Sequence, residues 1–308
     1  MEEKITLSIY ILTYNRAETV KNQVEFFIRE IEPYSSRVEL IVSDNASTDN
    51  TEEYMRKYED NGSFRYIRNE KNAGLIGNAY LSIERVRGEY VWIIGDDPFE
   101  SGVVKRVVDI IDEHQDLNFV YLNARNCYGK NPFGTMDYVF GDGGYCEYTW
   151  GMLKEHNYAL SKILIFTSGI IHRRETLEKT FSIIPVDGKF CYAWSYYAGL
   201  LALFKGRGYF EKKIWVYDQL LGVSWSDYAI VSYSRVLTSH KLLQRKGVKR
   251  KEINRLRKDC LYNSPVLEMA FLEFSKFGKY WKEALYTILY SMYLDPLYTI
   301  KMFLFDCQ

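Results

Sequence analysis

Long apolar runs, paired cysteines and any excess of one charge are all missing from this chain. No stretch of about 18 apolar residues occurs, so no segment is expected to span a bilayer. The five cysteines, Cys127, Cys146, Cys191, Cys260 and Cys307, are odd in number and include no CxxC pair. That argues against a zinc site or a disulfide framework and for a reducing compartment. Forty basic and forty acidic side chains cancel, so no global field favours nucleic acid. Glycine-rich phosphate loops are missing too. The first apolar run ends in Thr13-Tyr14-Asn15-Arg16 without a glycine, which removes the GxGxxG turn of a dinucleotide-binding domain, and no P-loop sequence appears. Met1-Glu2-Glu3-Lys4 is acidic and runs straight into a strand pattern, unlike a signal peptide. The expectation is a cytoplasmic protein without internal repeats or low-complexity segments.

What is present is a 308-residue chain with 47% hydrophobic, 26% charged and 16% aromatic residues, among them 27 Tyr. That suffices for one large domain with a smaller helical appendage and leaves aromatic surface for stacking. Short apolar runs at Leu7–Leu12, Val38–Val42, Phe64–Ile67 and Tyr90–Ile94 read as strands. Helical patterns lie between them at Ala17–Ile31, Asp49–Tyr58 and Gly77–Arg87, with Asp49 and Glu52 at capping-box spacing. Alternation of this kind predicts an α/β fold with a mainly parallel central sheet. A helix from Ser101 to Glu113, strands at Asn118–Leu122 and Ile163–Ile171, and a helix at Tyr192–Phe204 continue the pattern. From about Ser234 the chain reads as helical, interrupted near Pro265 and Pro296.

Each of the first four strands ends in a polar cluster, the last being Gly95-Asp96-Asp97. Parallel sheets bind ligands at the carboxyl ends of their strands. Adjacent carboxylates there repel each other unless a divalent cation relieves the repulsion. A nucleoside-diphosphate site follows, with Asp96 and Asp97 as metal ligands. The alternative is a turn before Pro98.

These residues resemble the family 2 glycosyltransferases of polysaccharide, O-antigen and capsule biosynthesis, which have the GT-A fold. The resemblance runs through Thr13-Tyr14-Asn15-Arg16, Ser43-Asp44-Asn45-Ala46-Ser47-Thr48-Asp49, Asn72-Ala73-Gly74 with Asn78, Gly88-Glu89-Tyr90 and Asp96-Asp97, over about the first 125 residues. It implies that Thr13 and Asp44 hold the nucleobase, that Tyr14 and Asn15 line the base and ribose pocket, and that Asn72, Gly74 and Asn78 shape the next wall. It also implies that Asp96 and Asp97 bind Mg²⁺ or Mn²⁺ against the diphosphate. Asp44 read as a turn former or helix N-cap, and Gly74 as plain turn chemistry, are the alternatives. Ile94 stands where the family carries the first acid of D-x-D, which puts the metal geometry in doubt, and Ala79 replaces a common arginine. The family inverts configuration with a carboxylate base. Asp187, in Pro185-Val186-Asp187-Gly188, is best placed for it, with Glu175 and Asp218 as rivals. His172 is an acceptor ligand or a satisfied loop histidine.

The resemblance implies a donor that is a nucleoside-diphosphate sugar and an acceptor that is a glycan, polyprenyl-linked in the polysaccharide setting. It divides the chain into a catalytic domain at 1–225 (nucleotide half 1–125, acceptor half 126–225) and a helical region at 226–308. Without a QxxRW-like segment a processive synthase is not expected. A nucleotide-sugar-binding protein that has lost catalysis is the second reading, and a nucleotidyltransferase the third. Arg235 to Lys258 carries ten basic residues and one acid, Glu252. Phe271, Phe274, Phe277, Tyr280, Trp281, Tyr286, Tyr290 and Tyr293 follow on helical segments. Two readings stay open: peripheral contact with the inner face of the cell membrane through residues 235–308, or a solvated basic face with the aromatics packed on the core or on a second subunit of a homo-oligomer.

Overall fold

The structure, a computed structural model, describes residues 4–114, 116–126, 166–184, 193–218, 247–263, 266–275 and 279–306, with positions 164, 240 and 243–245 besides. Seven strands form one sheet in the order β3-β2-β1-β4-β6-β5-β7. They are β1 (Leu7–Thr13), β2 (Val38–Asp44), β3 (Phe64–Arg68), β4 (Tyr90–Ile94), β5 (Leu117–Asn126), β6 (Ile170–Arg173) and β7 (Arg207–Asp218). β1 pairs in parallel with β2 and β4, and β2 with β3, while β6 lies antiparallel between β4 and β5. The α/β class and the mainly parallel sheet are as the sequence implies.

β2 and β4 are buried at every position, and β1 at all but Leu12. Strands covered on both faces read as continuous apolar runs, and these three do. Val20, Val24, Phe27 and Ile31 line one face of α1 (Ala17–Ile31). With α5 (Val103–Glu113) they cover one side of the sheet against Ile9, Ile11, Trp92 and Ile94. On the other side, Tyr10, Ile93, Phe119 and Tyr121 meet α3 (Gly74–Tyr80), α6 (Arg174–Phe181) and α7 (Ala193–Lys205). The same cluster takes in Ile253, Leu256 and Leu261 of α8 (Arg250–Asn263) and Leu267 of α9 (Val266–Ser275). The expected C-terminal helical region is present, completed by α10 (Trp281–Leu294) and α11 (Pro296–Asp306), and it packs on the sheet's core. No described helix is long and apolar enough to cross a membrane.

Several boundaries differ from the sequence reading, each for a local reason. The expected capping box does not form. Asp49 accepts from the Thr51 and Ala17 N–H groups (3.1 and 3.0 Å), and α2 (Thr51–Arg56) starts after Asn50. The helix expected over Gly77–Arg87 is two pieces, α3 and α4 (Ser82–Arg85). Gly102, at φ +86°, precedes α5 in place of Ser101, whose hydroxyl donates to Glu30. Of the strand expected at 163–171, β6 begins only at Ile170, after a 3₁₀ turn at Thr167–Gly169. β7 went unread because Glu211 and Lys213 interrupt its apolar pattern. The helical break expected near Pro296 is there, at Asp295, and Pro296 opens α11, since the first helical position needs no N–H. Gly88-Glu89-Tyr90 lies at the amino edge of the sheet. There the Gly88 N–H donates to Ser8 Oγ (2.8 Å), and a Cβ on Gly88 would come within 2.6 Å of the Ser8 nitrogen.

Candidate functional site

Because β1 to β4 run parallel, the loops after Thr13, Asp44, Arg68 and Ile94 all leave the sheet at one edge. Their polar side chains meet there. The Asn45 N–H donates to the Thr13 carbonyl (2.9 Å) and the Asn69 N–H to the Asp44 carbonyl (2.8 Å), extending the parallel ladder beyond the strands. Asn15 and Ala46 adopt left-handed backbone, φ +51° and +65°, a conformation that costs a non-glycine residue of the order of 1 kcal/mol. Hydrogen bonds between the two loops hold them in it. The Asn15 N–H donates to Ser47 Oγ (2.9 Å), and the Thr48 N–H donates to Asn15 Oδ1 (2.7 Å).

Asn45, which the sequence reading assigned no role, is the hub of the second and third loops. It is 4% exposed. Its amide donates to Asn72 Oδ1 (2.8 Å) and the Gly74 carbonyl (3.3 Å), while its oxygen accepts from Asn69 Nδ2 (3.1 Å) and the Ala73 N–H (2.8 Å). Gly74 sits at φ +72° with open space where a Cβ would go, so its backbone conformation demands glycine there. Asn78 is 1% exposed and inside the network. It donates to the Ser43 carbonyl (2.9 Å) and accepts from the Ser43 hydroxyl and from Asn69 Nδ2 (3.1 Å). Asn78, expected among the nucleotide-sugar-binding residues, thus has its side chain engaged within the edge network. Arg85 completes the layer, donating to Ser43 Oγ and Asn69 Oδ1, both at 2.7 Å. The clue for Asn45 and its partners was four asparagines in two adjacent loop motifs. Nothing local marked Arg85.

Asp44 is fully buried at the end of β2. Its carboxylate accepts from the Ser47 N–H (2.9 Å) and the Tyr66 hydroxyl (2.6 Å), with Arg68 Nε 3.6 Å away. Burial, and then the bond to Asp44, raise the Tyr66 phenol well above its ordinary value. Thr13 is 6% exposed, and its hydroxyl has no hydrogen-bond partner. Tyr14 is 44% exposed, and Asn72 and Gly74 are exposed beside it.

One strand from Asp44, across β1, lies the Gly95-Asp96-Asp97 loop. Asp96 forms an ion pair with Arg16, both side chains about a third exposed. Asp97 accepts from Ser168 Oγ at 2.5 Å, and the same oxygen accepts from the Gly95 N–H at 3.1 Å. Gln23 donates to the Gly95 and Asp97 carbonyls (2.6 and 3.2 Å). Ser168 gets there because β6 is antiparallel, so the turn before β6 stands at the edge where β4 ends. Trp92 Nε1 fixes that turn by donating to the Ser168 carbonyl (2.9 Å). Two adjacent carboxylates, completed by phosphate oxygens and water, are a donor set suited to Mg²⁺ or Mn²⁺. Among the described residues no group of three or more His, Cys, Asp or Glu adds to it. Ile94 is fully buried in the apolar layer under α1 and offers nothing to a ligand, and Ala79 is buried likewise.

The candidate bases separate by position. β6 pairs Arg173 with Tyr90, so Glu175 in α6 stands at the opposite edge from Asp96. It is exposed and paired with Lys179, which removes it from the site. His172 is on a strand, not in a loop. It is 1% exposed beside Trp194, neither ring nitrogen has a hydrogen-bond partner, and burial lowers its pKa to about 3. It is a neutral core residue and no acceptor ligand. Asp187 lies outside the described residues. The backbone of Asp218 ends β7 at the carboxyl edge, where the Tyr217 N–H donates to the Pro98 carbonyl (2.9 Å) and Val216 bridges Phe99. Its side chain lies outside what is described.

The chain is 38% identical over 93 residues to the abequosyltransferase RfbV of Salmonella typhimurium, a match taking in 30% of this chain and 28% of that protein. It thus spans well under two thirds of the length of that relative. Among solved structures it resembles S. aureus TarS 1-349 in complex with UDP-GlcNAc (TM-score 0.65, 16% identity, 92% of this chain and 80% of that one). It also resembles the mannosyltransferase PcManGT of Pyrobaculum calidifontis in complex with GDP-Man and Mn²⁺ (TM-score 0.60, 13% identity, 98% and 79%). Identities this low establish the shared GT-A fold. Residues 8–180, more than half of the chain, match the model of glycosyl transferase family 2. Strands β2 to β6, β1 from Ser8 onward, the edge loops and the acid pair fall inside that match, and the chain belongs to glycosyl transferase family 2.

Proposed function

We propose that this protein transfers a single sugar from a nucleoside-diphosphate sugar to a hydroxyl of a glycan acceptor, lipid-linked and bound for a cell-surface polysaccharide, with inversion and with the help of a divalent metal. The observation that carries the reading is the shared edge of β1, β2 and β4. It places Tyr14, Asn15 and the Asp44 loop one strand away from Asp96 and Asp97, in a chain of this family. The ligands bound by TarS and PcManGT, a nucleotide sugar in each and Mn²⁺ in the second, support the donor class and the metal. The acceptor class follows from the family resemblance.

In this reading the exposed ring of Tyr14 stacks on the base. The Thr13 hydroxyl and Asn15 meet the base and ribose, Asp44 takes a ring N–H, and Asn72 and Gly74 form the neighbouring wall over Asn78. Asp96 and Asp97 hold Mg²⁺ or Mn²⁺, which when bound supplies positive charge to the departing diphosphate. Ser168 and Gln23 keep the acid loop in place, and Arg16 offers a second positive charge. Asp187 accepts the proton of the acceptor hydroxyl as that oxygen attacks the anomeric carbon opposite the leaving group, a task suited to a partly buried carboxylate.

The test is a panel of nucleotide sugars with acceptor glycans and Mn²⁺, with the anomeric configuration of the product read by NMR. The expected result is one inverted linkage from one donor, lost in Asp96→Asn and in Asp187→Asn. Full activity in Asp187→Asn with loss in Asp218→Asn moves the base to Asp218. The buried Ile94 favours a second reading, a nucleotide-sugar-binding protein without catalysis, and donor binding with neither transfer nor hydrolysis across the panel establishes it.

A further inference from the structure

We infer that α10 and α11 form a seat for an anionic lipid surface, their apolar edge entering the acyl region while basic side chains around it face the headgroups. The inference does not draw on the sugar-transfer reading. Of the eight large hydrophobic side chains exposed among the described residues, six lie on these two helices: Tyr286, Leu289, Met292, Tyr293, Leu297 and Ile300. Leu289, Tyr293 and Leu297 are 60%, 69% and 81% exposed. Spacings of three and four carry the stripe along α10 from Tyr286 to Tyr293, and Leu297 and Ile300 are three apart on α11. Beside it opens a groove of about 240 Å³, walled by Phe271, Phe274, Ile288, Met292 and Ile300 with the buried Thr299. Met292 and Ile300 belong to both features, so stripe and groove form one surface. Contiguous apolar surface of this kind marks an interaction site.

The charges choose the occupant. Among the residues from 243 to 306 whose side chains are described, the exposed charges are basic: Arg245, Lys249, Arg250, Lys251, Lys279, Lys282 and Lys301. The acids Glu252, Glu283 and Asp295 are partly buried, and Asp295 is tied to Lys258 at 3.4 Å. Arg250 reaches the stripe itself, donating to the Tyr293 hydroxyl at 3.4 Å. A second copy of this chain bound through the same face would bring these basic side chains together, a juxtaposition that opposes association. A bilayer with anionic headgroups meets both features at once, acyl chains for the stripe and groove and negative charge for the rim. Not all of the aromatic run contributes. Tyr290 packs against the main core and Tyr280 against a small cluster around Ala270 and Ala284.

The test is flotation of the full chain with vesicles of phosphatidylcholine alone, or of phosphatidylcholine and phosphatidylglycerol in equal parts, with the oligomeric state followed by light scattering. The expected result is binding to the anionic vesicles only, abolished by high salt. Combined Lys249→Gln, Arg250→Gln and Lys251→Gln should weaken it roughly a hundredfold, at about fivefold for each charge. Leu289→Ser with Leu297→Ser should weaken it by roughly tenfold for each leucine. Both leucines are largely exposed, so thermal midpoint and nucleotide binding should stay unchanged. No binding to anionic vesicles at low salt, or binding retained by either variant, overturns the inference. So does conversion of an oligomer to a monomer by the leucine pair, which assigns the surface to a second copy.

Discussion

Arg16→Gln is the perturbation that probes the acid loop most directly, because the Arg16–Asp96 pair and a divalent cation compete for one carboxylate. Both partners are about a third exposed, so solvent screens the pair and it contributes about 1 kcal/mol at most. A cation arriving without nucleotide must displace the guanidinium and loses that amount. Removing Arg16 should therefore tighten Mn²⁺ binding to the nucleotide-free protein about fivefold, the factor that 1 kcal/mol represents. The effect on nucleotide runs the other way. With Mn²⁺ on Asp96 the guanidinium is released to the diphosphate, and charge-assisted hydrogen bonds of about 1.5–3 kcal/mol are then lost in the variant. Nucleoside diphosphate should bind roughly ten- to a hundredfold more weakly, and the bare nucleoside equally well. Free Mn²⁺ by electron paramagnetic resonance gives the first quantity and titration calorimetry the second. Unchanged or weaker Mn²⁺ binding in Arg16→Gln would falsify the competition, and absence of Mn²⁺ binding from both proteins would remove the metal role of Asp96.

Three further outcomes follow from the geometry. Asn45→Ala removes four hydrogen bonds made by a buried side chain and should cost about 1–3 kcal/mol in chemical denaturation. Donor affinity should fall with it, and unchanged stability would show that the loops hold without their hub. Ser168→Ala releases Asp97 and orphans the Gly95 N–H, so Mn²⁺ affinity should drop several-fold while α1 and the core stay folded by circular dichroism. Equal affinity in that variant would mean that Ser168 does not position the acid. His172→Leu bears on pH: the folded-state pKa lies below the unfolded value, so stability is full above about pH 6.5 and declines as pH falls toward 3. The wild type should lose about 3 kcal/mol more than the variant between pH 6.5 and pH 4. Parallel stability–pH curves would show that the ring is not held neutral.

The most legible parts of the sequence were those whose environment is uniform along the chain. β1, β2 and β4 are buried on both faces, so their apolar runs needed no phase to be recognised, and β4 was read to the residue. The apolar face of α1 is equally periodic. β7 was missed because a strand at the sheet margin carries Glu211 and Lys213, and β6 was overextended because the apolar residues Ile163 to Phe166 precede the turn before it. The edge carrying Asp96 and Asp97 followed from parallel topology alone. Its internal contacts did not. Arg16 meets Asp96 across 80 positions, Ser168 meets Asp97 across 71, and Asn45 meets Asn69 across 24. Such pairings belong to the folded arrangement and leave no spacing signal. Asp44 and Asn78 carried family motifs that read as ligand contacts, yet their polar atoms are bonded within the protein.

The antiparallel placement of β6 also bears on how the chain is made. The strand that covers the flank of β4 is encoded 79 positions after it, between Ile94 and Arg173. At synthesis rates of about 5–20 residues per second, roughly 4–16 s pass before it emerges. For that interval Tyr90-Val91-Trp92-Ile93-Ile94 presents an unpaired hydrophobic margin to other nascent chains, the template that drives aggregation. Fragments ending before residue 170 keep that margin open permanently and should precipitate.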